Sequence, residues 1–229
     1  MYFCSNFRIQ TSMRKRFIHI LWGMLVLGIL SAVLAFVAIW FGWIGYMPPI
    51  SELQNPINRF ATQVYSADGK VIGTWNENRE NRVCIPYNTL SPHLVHALVA
   101  TEDVRFYDHS GIDFIALGRA FVKRGLMGHA SAGGGSTITQ QLAKQLYSPS
   151  VESLTERLLQ KPIEWVIAVR LERYYTKEEI INMYLNKFDF LHNAVGIRSA
   201  AQSYFGKTPA TLTTEEAAML IGMCKNPSY

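Results

Sequence analysis

The stretch SPHLVHALVATEDVRFYDHSG, residues 91–111, carries the clearest helix signal in this sequence. Ser91 and Pro92 are typical of a helix start, because serine caps a helix well and proline fits its first turn. The apolar residues that follow have helical spacing and predict one buried face: Leu94, Val95, Leu98 and Val99. The sequence therefore predicts a helix that begins near Pro92 and runs toward Glu102.

Glu102 lies at the end of that apolar face, four residues after Leu98 and three after Val99. A carboxylate on a buried face is costly unless it is paired, hydrogen-bonded or open to a cleft. A carboxylate in a cleft is suited to proton transfer. The alternative is a helix-end carboxylate turned toward solvent, and the position alone leaves both interpretations open.

A second carboxylate, Glu164, has a similar setting in QKPIEWVIAVRLE, residues 160–172. Ile167, Ala168 and Leu171 share its face of a predicted helix that is apolar most of the way round. Two carboxylates presented from the apolar faces of different helices are the ingredients of glycosyl-transfer chemistry. The alternative is a pair of structural glutamates bonded to the backbone or to nearby Arg and Lys.

Between the two carboxylates lies AGGGSTITQQLAK, residues 132–144. Glycines that lead into a helix N-terminus expose backbone amides and suit an anionic oxygen. The stretch is not a phosphate-binding loop of the Walker A type, because no Gly-Lys-Ser/Thr follows. Lys144 lies one turn after Gln140, so both could meet one ligand. The alternative is a flexible loop in which Ser136 or Thr137 only caps the helix.

The rest of the chain predicts a mainly α fold with a small β element. Three pairs have the spacing of a capping box, which opens a helix: Thr137 with Gln140, Thr176 with Glu179, and Thr213 with Glu216. ATQVYSADGKVIGTWN, residues 61–76, alternates apolar and polar residues around Asp68-Gly69, which predicts a β-hairpin.

An apolar run from Phe17 to Ile44 predicts a retained membrane anchor, because about 20 residues suffice to cross a bilayer. A buried soluble helix and a cleaved signal peptide are the alternatives, and the length of the run argues against both. Four basic residues and no acidic ones precede the run, which places the N-terminus in the cytoplasm: Arg8, Arg14, Lys15 and Arg16.

The charge and the cysteines exclude other classes of protein. Outside the N-terminal arm, 18 Lys and Arg oppose 17 acidic residues, so the basic pI of 9.1 reports topology and does not argue for a nucleic-acid partner. Cys4, Cys84 and Cys224 lack metal-ligand spacing. A disulfide between Cys84 and Cys224 is one interpretation, and two buried thiols are the other.

Five segments together resemble the signature blocks of the peptidoglycan glycosyltransferases, family 51 of the glycosyltransferases. They are EDVRFYDHSG (102–111), GGSTITQQLAKQL (134–146), QKPIEWVIAVRLE (160–172), KEEIINMYLNKF (177–188) and GIRSAAQSYFGK (196–207). With the anchor and the hairpin before them, they look like the N-terminal part of a class A penicillin-binding protein of the type 1A group. The resemblance implies a lysozyme-like α fold that polymerises lipid II and releases undecaprenyl pyrophosphate.

The resemblance also implies a division of the chain. We expect a cytoplasmic basic arm at 1–16, a transmembrane anchor at 17–44, a connector with the hairpin at 45–88 and a glycosyltransferase domain at 89–229. Relatives of this type continue into a transpeptidase domain, so we expect a fragment of a bifunctional enzyme. A short monofunctional enzyme is the alternative.

The family's roles fall on residues of this chain one by one. Glu102 matches the general base that deprotonates the acceptor hydroxyl. Glu164 matches the second glutamate, which helps the leaving pyrophosphate directly or through a divalent cation, Mg²⁺ or Mn²⁺. Four residues match substrate-binding positions, namely Ser136, Gln140, Lys144 and Lys161, while Arg157 is a further source of positive charge. Three others match positions that shape the site: Asp103, Phe106 and His109.

The expected partners are lipid II, the growing glycan strand, membrane lipids and other cell-wall synthesis proteins. Residues 112–130 combine apolar positions with Arg119, Lys123 and Arg124, which predicts either an interfacial helix on lipid headgroups or an ordinary solvated face. The expected location is the cytoplasmic membrane, crossed once, with the catalytic domain outside. Two other functions remain as alternatives, a lysozyme-like glycan hydrolase and a non-catalytic membrane scaffold.

Overall fold

The computed structural model describes residues 2–54, 62–69, 71–75, 84–126, 134–148 and 154–225. The chain forms two compact units, residues 1–47 and residues 48–229. The finer boundaries expected at residues 16, 44 and 88 remain predictions.

The first unit is one long helix, α1, Tyr2–Trp40. Its segment Arg16–Trp40 is long and apolar enough to cross a membrane. The helix ends four residues before Ile44, the last residue of the apolar run, and the expected end of the anchor remains a prediction. Gly42 ends it by adopting a left-handed conformation with φ of 76°. The Gly42 amide then bonds the Ile39 carbonyl, and the Trp43 amide bonds the Ala38 carbonyl, which is the Schellman arrangement.

The second unit confirms a mainly α fold with a small β element. Its elements in chain order are α2 Ile50–Gln54, β1 Thr62–Tyr65, β2 Val71–Trp75, α3 Pro92–Glu102, α4 Phe114–Ala120, α5 Ile138–Tyr147, α6 Leu154–Tyr174, α7 Lys177–Lys187, α8 Ile197–Phe205 and α9 Thr214–Lys225. A π-helix, Phe121–Leu126, continues α4. Three 3₁₀ turns lie at Tyr87–Thr89, Phe106–Asp108 and Pro209–Thr211.

The predicted hairpin is confirmed. Strands β1 and β2 pair antiparallel, with Thr62 opposite Trp75, and a bulge interrupts the register between Val64 and Tyr65. The turn places the Gly69 amide 2.9 Å from the Ser66 carbonyl oxygen. The Asp68-Gly69 dipeptide therefore forms the turn that the sequence predicts.

The core of the second unit is built around three helix contacts. Helix α3 packs on α9, and α5 packs between α6 and α7. The apolar face predicted for α3 is buried at Leu94, Val95 and Leu98. Burying such a side chain stabilises the fold by about 1.5–3 kcal/mol, so these faces fix how the helices meet.

The predicted helix starts form, although their capping contacts differ. Thr176 and Glu179 make a complete capping box at the start of α7. Ser91 occupies the N-cap position of α3, but its hydroxyl donates to the Leu212 carbonyl at 3.2 Å instead of capping the helix. Ser91 thus joins α3 to the segment before α9.

Candidate active site

One face of α5 connects the two carboxylates that the sequence singles out. Gln141 donates from Nε2 to Oε2 of Glu102 at 2.7 Å. Seven residues later, the Ser148 hydroxyl donates to Oε1 of Glu164 at 3.5 Å. Seven residues of helix rise about 10 Å, so the two attachment points are separated by about that distance along α5. Glu102, on α3, and Glu164, on α6, therefore both lie along α5.

Glu102 is the last residue of α3 and is half-buried. Within the described part of the chain it accepts only the hydrogen bond from Gln141, and its Oε1 is shielded from solvent without a partner. A carboxylate has about four lone-pair sites, so most of the accepting capacity of Glu102 is unused. A buried polar atom without a partner is uncommon in folded proteins, and it leaves Oε1 of Glu102 available to a further donor.

Glu164 has a different environment, because its side chain is only 3% exposed and is paired with a cation. Lys161 Nζ lies 3.0 Å from Oε2 of Glu164 and 3.0 Å from the Ser136 hydroxyl. Lys161 therefore connects the glycine-rich loop before α5 to the buried carboxylate on α6. Ser136, Lys161 and Glu164, predicted separately as site residues, form one cluster.

Lys144 supplies an uncommitted positive charge on the same face of α5. It lies three residues after Gln141 and four before Ser148, so its side chain projects between the two carboxylate contacts. The side chain is exposed and makes no hydrogen bond or ion pair with any residue the structure describes. An anionic group bound along this face would meet the Lys144 ammonium first.

Asp103 joins the end of α3 to the start of α5. Its buried Oδ2 accepts from the Ile138 amide at 3.2 Å and lies 3.0 Å from Nε2 of His109. A carboxylate at a helix N-terminus also interacts favourably with the helix dipole. Glu102 directly precedes Asp103 in the sequence. The contacts of Asp103 with Ile138 and His109 thus fix the position of Glu102 relative to α5.

Gly111 lets the loop after His109 approach α6 closely. It has φ of 92°, and a Cβ there would lie 2.9 Å from the Ala168 carbonyl carbon, so glycine is required on both grounds. Its carbonyl accepts from the Thr137 hydroxyl at 2.7 Å and from Nε2 of Gln140 at 3.2 Å. Gln140 is fully buried. It therefore helps to hold the Gly111 loop in place and does not lie on the open face of α5.

Phe106, the third residue expected to shape the site, is fully buried. Lys177 lies with Nζ 4.3 Å from its ring centroid, and this ammonium also donates to the His109 carbonyl at 2.6 Å. Glu172 completes the group by accepting from Lys177 at 2.8 Å and from the Thr139 hydroxyl at 2.6 Å. These residues hold the loop after Glu102 against α5, α6 and α7.

An open cavity of about 460 Å³ lies beside this loop, away from the two carboxylates. Its walls include Arg105, Asp108, His109, Phe114 and Val169, but neither Glu102 nor Glu164. The face of α5 is the better candidate site, because it brings together the carboxylates and the free ammonium.

Comparison with known proteins identifies the family of this chain. Residues 68–229 match the protein family described as transglycosylase. The chain belongs to the transglycosylase family. It is 41% identical over 184 residues to penicillin-binding protein 1A of Escherichia coli (strain K12), covering 80% of this chain and 21% of that protein. It is 42% identical over 178 residues to penicillin-binding protein 1A of Haemophilus influenzae, covering 78% and 20%.

A further relative, penicillin-binding protein 1A of Pseudomonas aeruginosa, is 34% identical over 213 residues, which are 93% of this chain and 25% of that protein. The chain thus spans a fifth to a quarter of the length of these relatives. The resemblance noted from the five sequence blocks is confirmed at the level of the family.

The candidate site contains residues that the sequence did not single out. Gln141 contacts Glu102, Ser148 contacts Glu164, and the Tyr184 hydroxyl donates to Oε1 of Gln141 at 3.0 Å. Gln141 and Ser148 share one helix face with Lys144, and this spacing is the sequence signal that could have identified Gln141 and Ser148. Tyr184 lies on α7, and its contact depends on tertiary packing.

The residues around Glu164 do not form a ready site for a divalent cation. Both carboxylate oxygens have partners, and the Lys161 ammonium lies where a cation would bind. No group of three or more His, Cys, Asp and Glu side chains among the described residues is arranged to hold a metal. Cys84 and Cys224 are thiols and are not joined by a disulfide. The side chains of Arg124 and Arg157 lie outside the described residues.

Proposed function

We propose that this transglycosylase polymerises lipid II into glycan strands at the outer face of the cytoplasmic membrane. The observation that carries the proposal is the face of α5, which places Glu102 with unused accepting capacity on one side and the Lys161–Glu164 pair on the other, with Lys144 between them. Transfer from a pyrophosphate donor requires a base for the acceptor hydroxyl and positive charge for the leaving group.

In the proposed reaction Glu102 takes the proton of the acceptor's 4-hydroxyl. The oxygen attacks the anomeric carbon of the donor, a new glycosidic bond forms with inversion, and the bond to the pyrophosphate oxygen breaks. Negative charge grows on the leaving group at that moment, and Lys144 and Lys161 supply positive charge to stabilise it. A divalent cation at Glu164 remains a prediction, and binding there requires displacement of the Lys161 ammonium.

Polymerisation of labelled lipid II in detergent tests the proposal, with Glu102→Gln as the matched variant. Loss of a general base lowers the rate by about 10²–10⁴-fold, so the variant should make almost no glycan. Equal unfolding temperatures of parent and variant would show that the loss is chemical. Equal activity of parent and variant would contradict the assignment of the base.

The two alternative functions give different outcomes in the same experiment. Release of reducing ends from finished glycan, without polymerisation, would identify a hydrolase. A folded parent that neither polymerises lipid II, cleaves glycan nor binds lipid II would identify a scaffold.

We also propose that α4 and the π-helix after it contact membrane lipid. Four large apolar side chains lie exposed on this segment, namely Phe114, Ile115, Phe121 and Val122. Arg119 and Lys123 are exposed beside them. Exposed aromatic and basic residues on one helix suit the interface of an anionic bilayer. Phe121→Ser should weaken binding of the chain without residues 1–47 to anionic vesicles, whereas equal binding would contradict the contact.

The orientation in the membrane follows from the basic residues before α1's apolar segment. We place the N-terminus in the cytoplasm and residues 48–229 outside, because Lys and Arg are retained on the cytoplasmic side. Cys4 lies in the cytoplasmic arm, so a membrane-impermeant maleimide should not label it in intact spheroplasts. Labelling before lysis would reverse the orientation.

A further inference from the structure

We infer that Gln141 and Tyr184 are positioning residues that hold the carboxylate of Glu102 for proton transfer. The inference rests on the proposed function, since it concerns the base of that reaction. It starts from two hydrogen bonds in series, from the Tyr184 hydroxyl to Oε1 of Gln141 at 3.0 Å and from Nε2 of Gln141 to Oε2 of Glu102 at 2.7 Å. Three helices, α7, α5 and α3, each contribute one member.

The direction of both hydrogen bonds is fixed by the chemistry of the groups. An ionised carboxylate only accepts, so Gln141 must turn its NH₂ group toward Glu102. This turns the amide carbonyl toward Tyr184, and a carbonyl also only accepts. The Tyr184 hydroxyl must therefore donate. A side chain that cannot donate at position 184 would leave the Gln141 amide free to rotate away from Glu102.

Tyr184 is suited to act as a fixed donor. Its side chain is fully buried in α7, so the hydroxyl has little freedom to move. Burial raises the pKa of Tyr184 far above its ordinary value, and the nearby Cys224 and Glu102 raise it further. The hydroxyl consequently keeps its proton at every pH at which the enzyme would work.

The two hydrogen bonds in series from Tyr184 through Gln141 to Glu102 are here called the relay. The relay gives Glu102 one neutral hydrogen bond and no cation. The bond from Gln141 orients the carboxylate, while the other lone pairs have no partner among the described residues. A neutral donor fixes geometry without opposing protonation as strongly as a cation does. The arrangement therefore orients a base while keeping it able to take a proton.

The test is the steady-state kinetics of lipid II polymerisation by the full chain and five variants. Gln141→Leu should lower kcat by about 30-fold and Tyr184→Phe by about fivefold, because small displacements of a catalytic group have large effects on rate. KM should change by less than about twofold, since the relay acts on the reacting carboxylate and not on uniform substrate binding. Gln141→Asn, which keeps the amide on a shorter side chain, should recover part of the loss.

The double variant separates a relay from two independent packing effects. If Tyr184 acts through Gln141, adding Tyr184→Phe to Gln141→Leu should cause no further loss of kcat. Multiplied losses would contradict the inference. Tyr175→Phe is the matched control, because that hydroxyl also makes a hydrogen bond, to the Leu53 carbonyl at 2.6 Å, but takes no part in the relay. Its kcat should equal that of the parent.

A second readout does not depend on activity. In the chain labelled with ¹⁵N-glutamine, the side-chain amide signal of Gln141 should shift in Glu102→Gln and in Tyr184→Phe, but not in Tyr175→Phe. An unchanged signal in the first two would overturn the inference even if the parent were inactive. An active parent with an inactive Glu102→Gln and an unaffected Tyr184→Phe would overturn the relay while leaving the proposed function intact.

Discussion

Glu102 and Glu164 meet the same face of α5, yet their partners are of opposite kinds. Glu102 is half-buried and is bonded to the neutral amide of Gln141. Glu164 is almost fully buried and is paired with the ammonium of Lys161. The more deeply buried carboxylate is thus the neutralised one, as expected from the cost of burying an unpaired charge.

The two side chains are chemically identical glutamate carboxylates. They can take different roles because their hydrogen-bonding and charged partners differ. A carboxylate that pairs with a cation is held ionised and serves as an electrostatic element, whereas one with a neutral partner can accept a proton. The partner on α5 or α6 therefore distinguishes the two carboxylates in the proposed reaction.

Giving Glu102 a cationic partner should have the largest effect. Gln141→Lys would place an ammonium beside it, and a nearby positive charge favours the ionised form of a carboxylate. Glu102 would become a weaker proton acceptor, so polymerisation by Gln141→Lys should fall about tenfold below that by Gln141→Leu. The measurement is kcat for lipid II polymerisation by both variants.

Gln141→Leu serves as the control for this substitution, since it removes the amide and adds no charge. If the Lys variant were as active as the Leu variant, the neutral character of the partner would not matter, and the distinction between the two carboxylates would fail.

Removing the cation from Glu164 should cost stability. Lys161→Met leaves a carboxylate whose side chain is 3% exposed without its ammonium, although Lys161 itself is 44% exposed. Partial solvent access at the lysine reduces the usual loss for a buried pair, so we expect about 2 kcal/mol. Urea unfolding measures this loss, and adding Glu164→Gln should recover part of it.

The pair of Lys207 and Glu216 offers a matched comparison. Lys207 is 39% exposed, which is similar to the 44% exposure of Lys161. Glu216, however, is 19% exposed, so water can solvate its carboxylate when the lysine is removed. Lys207→Met should therefore destabilise the fold less than Lys161→Met. An equal loss would show that the burial of Glu164 is not what makes its pairing important.

The sequence predicted which face of a helix is buried better than it predicted which residues of other helices contact that face. The spacing of Leu94, Leu98 and Glu102 is a local property of α3, and both the buried face and the position of the carboxylate followed from it. Gln141 was not distinguished from Gln140, because adjacent helical residues differ by about 100° in direction and only the packing decides which one meets α3.

Tertiary packing also explains the other omissions. Tyr184 reaches Gln141 from α7, 43 residues away, and no local pattern marks such a contact. The end of α1 could not be read from hydrophobicity, because apolar residues continue beyond it to Ile44. Gly42, which adopts the left-handed conformation, marks the end of the helix.

The thiol of Cys224 reports the charge on Glu102. Burial raises the pKa of Cys224 well above its ordinary value, and the charge of Glu102 raises it further. The thiolate is the reactive form, so Cys224 should alkylate slowly at pH 8.5. Glu102→Gln removes the charge and lowers the thiol pKa, which increases the thiolate fraction. We expect alkylation to accelerate about threefold.

Peptide mass spectrometry can follow Cys224 and Cys84 in the same sample. An equal rate for Cys84 in parent and variant would show that the fold has not opened. No acceleration at Cys224 would contradict an electrostatic effect of Glu102 on this thiol.

The smallest effect should come from Ser148. Its hydroxyl lies 3.5 Å from Oε1 of Glu164, at the limit of a hydrogen bond, whereas Gln141 lies 2.7 Å from Glu102. The Lys161 ammonium is nearer, at 3.0 Å, and carries the charge that Glu164 needs. Ser148→Ala should thus change the free energy of unfolding by less than about 0.5 kcal/mol and polymerisation by less than twofold. A loss as large as that of Lys161→Met would show that Glu164 depends on a neutral partner after all, and the two carboxylates would then be held in the same way.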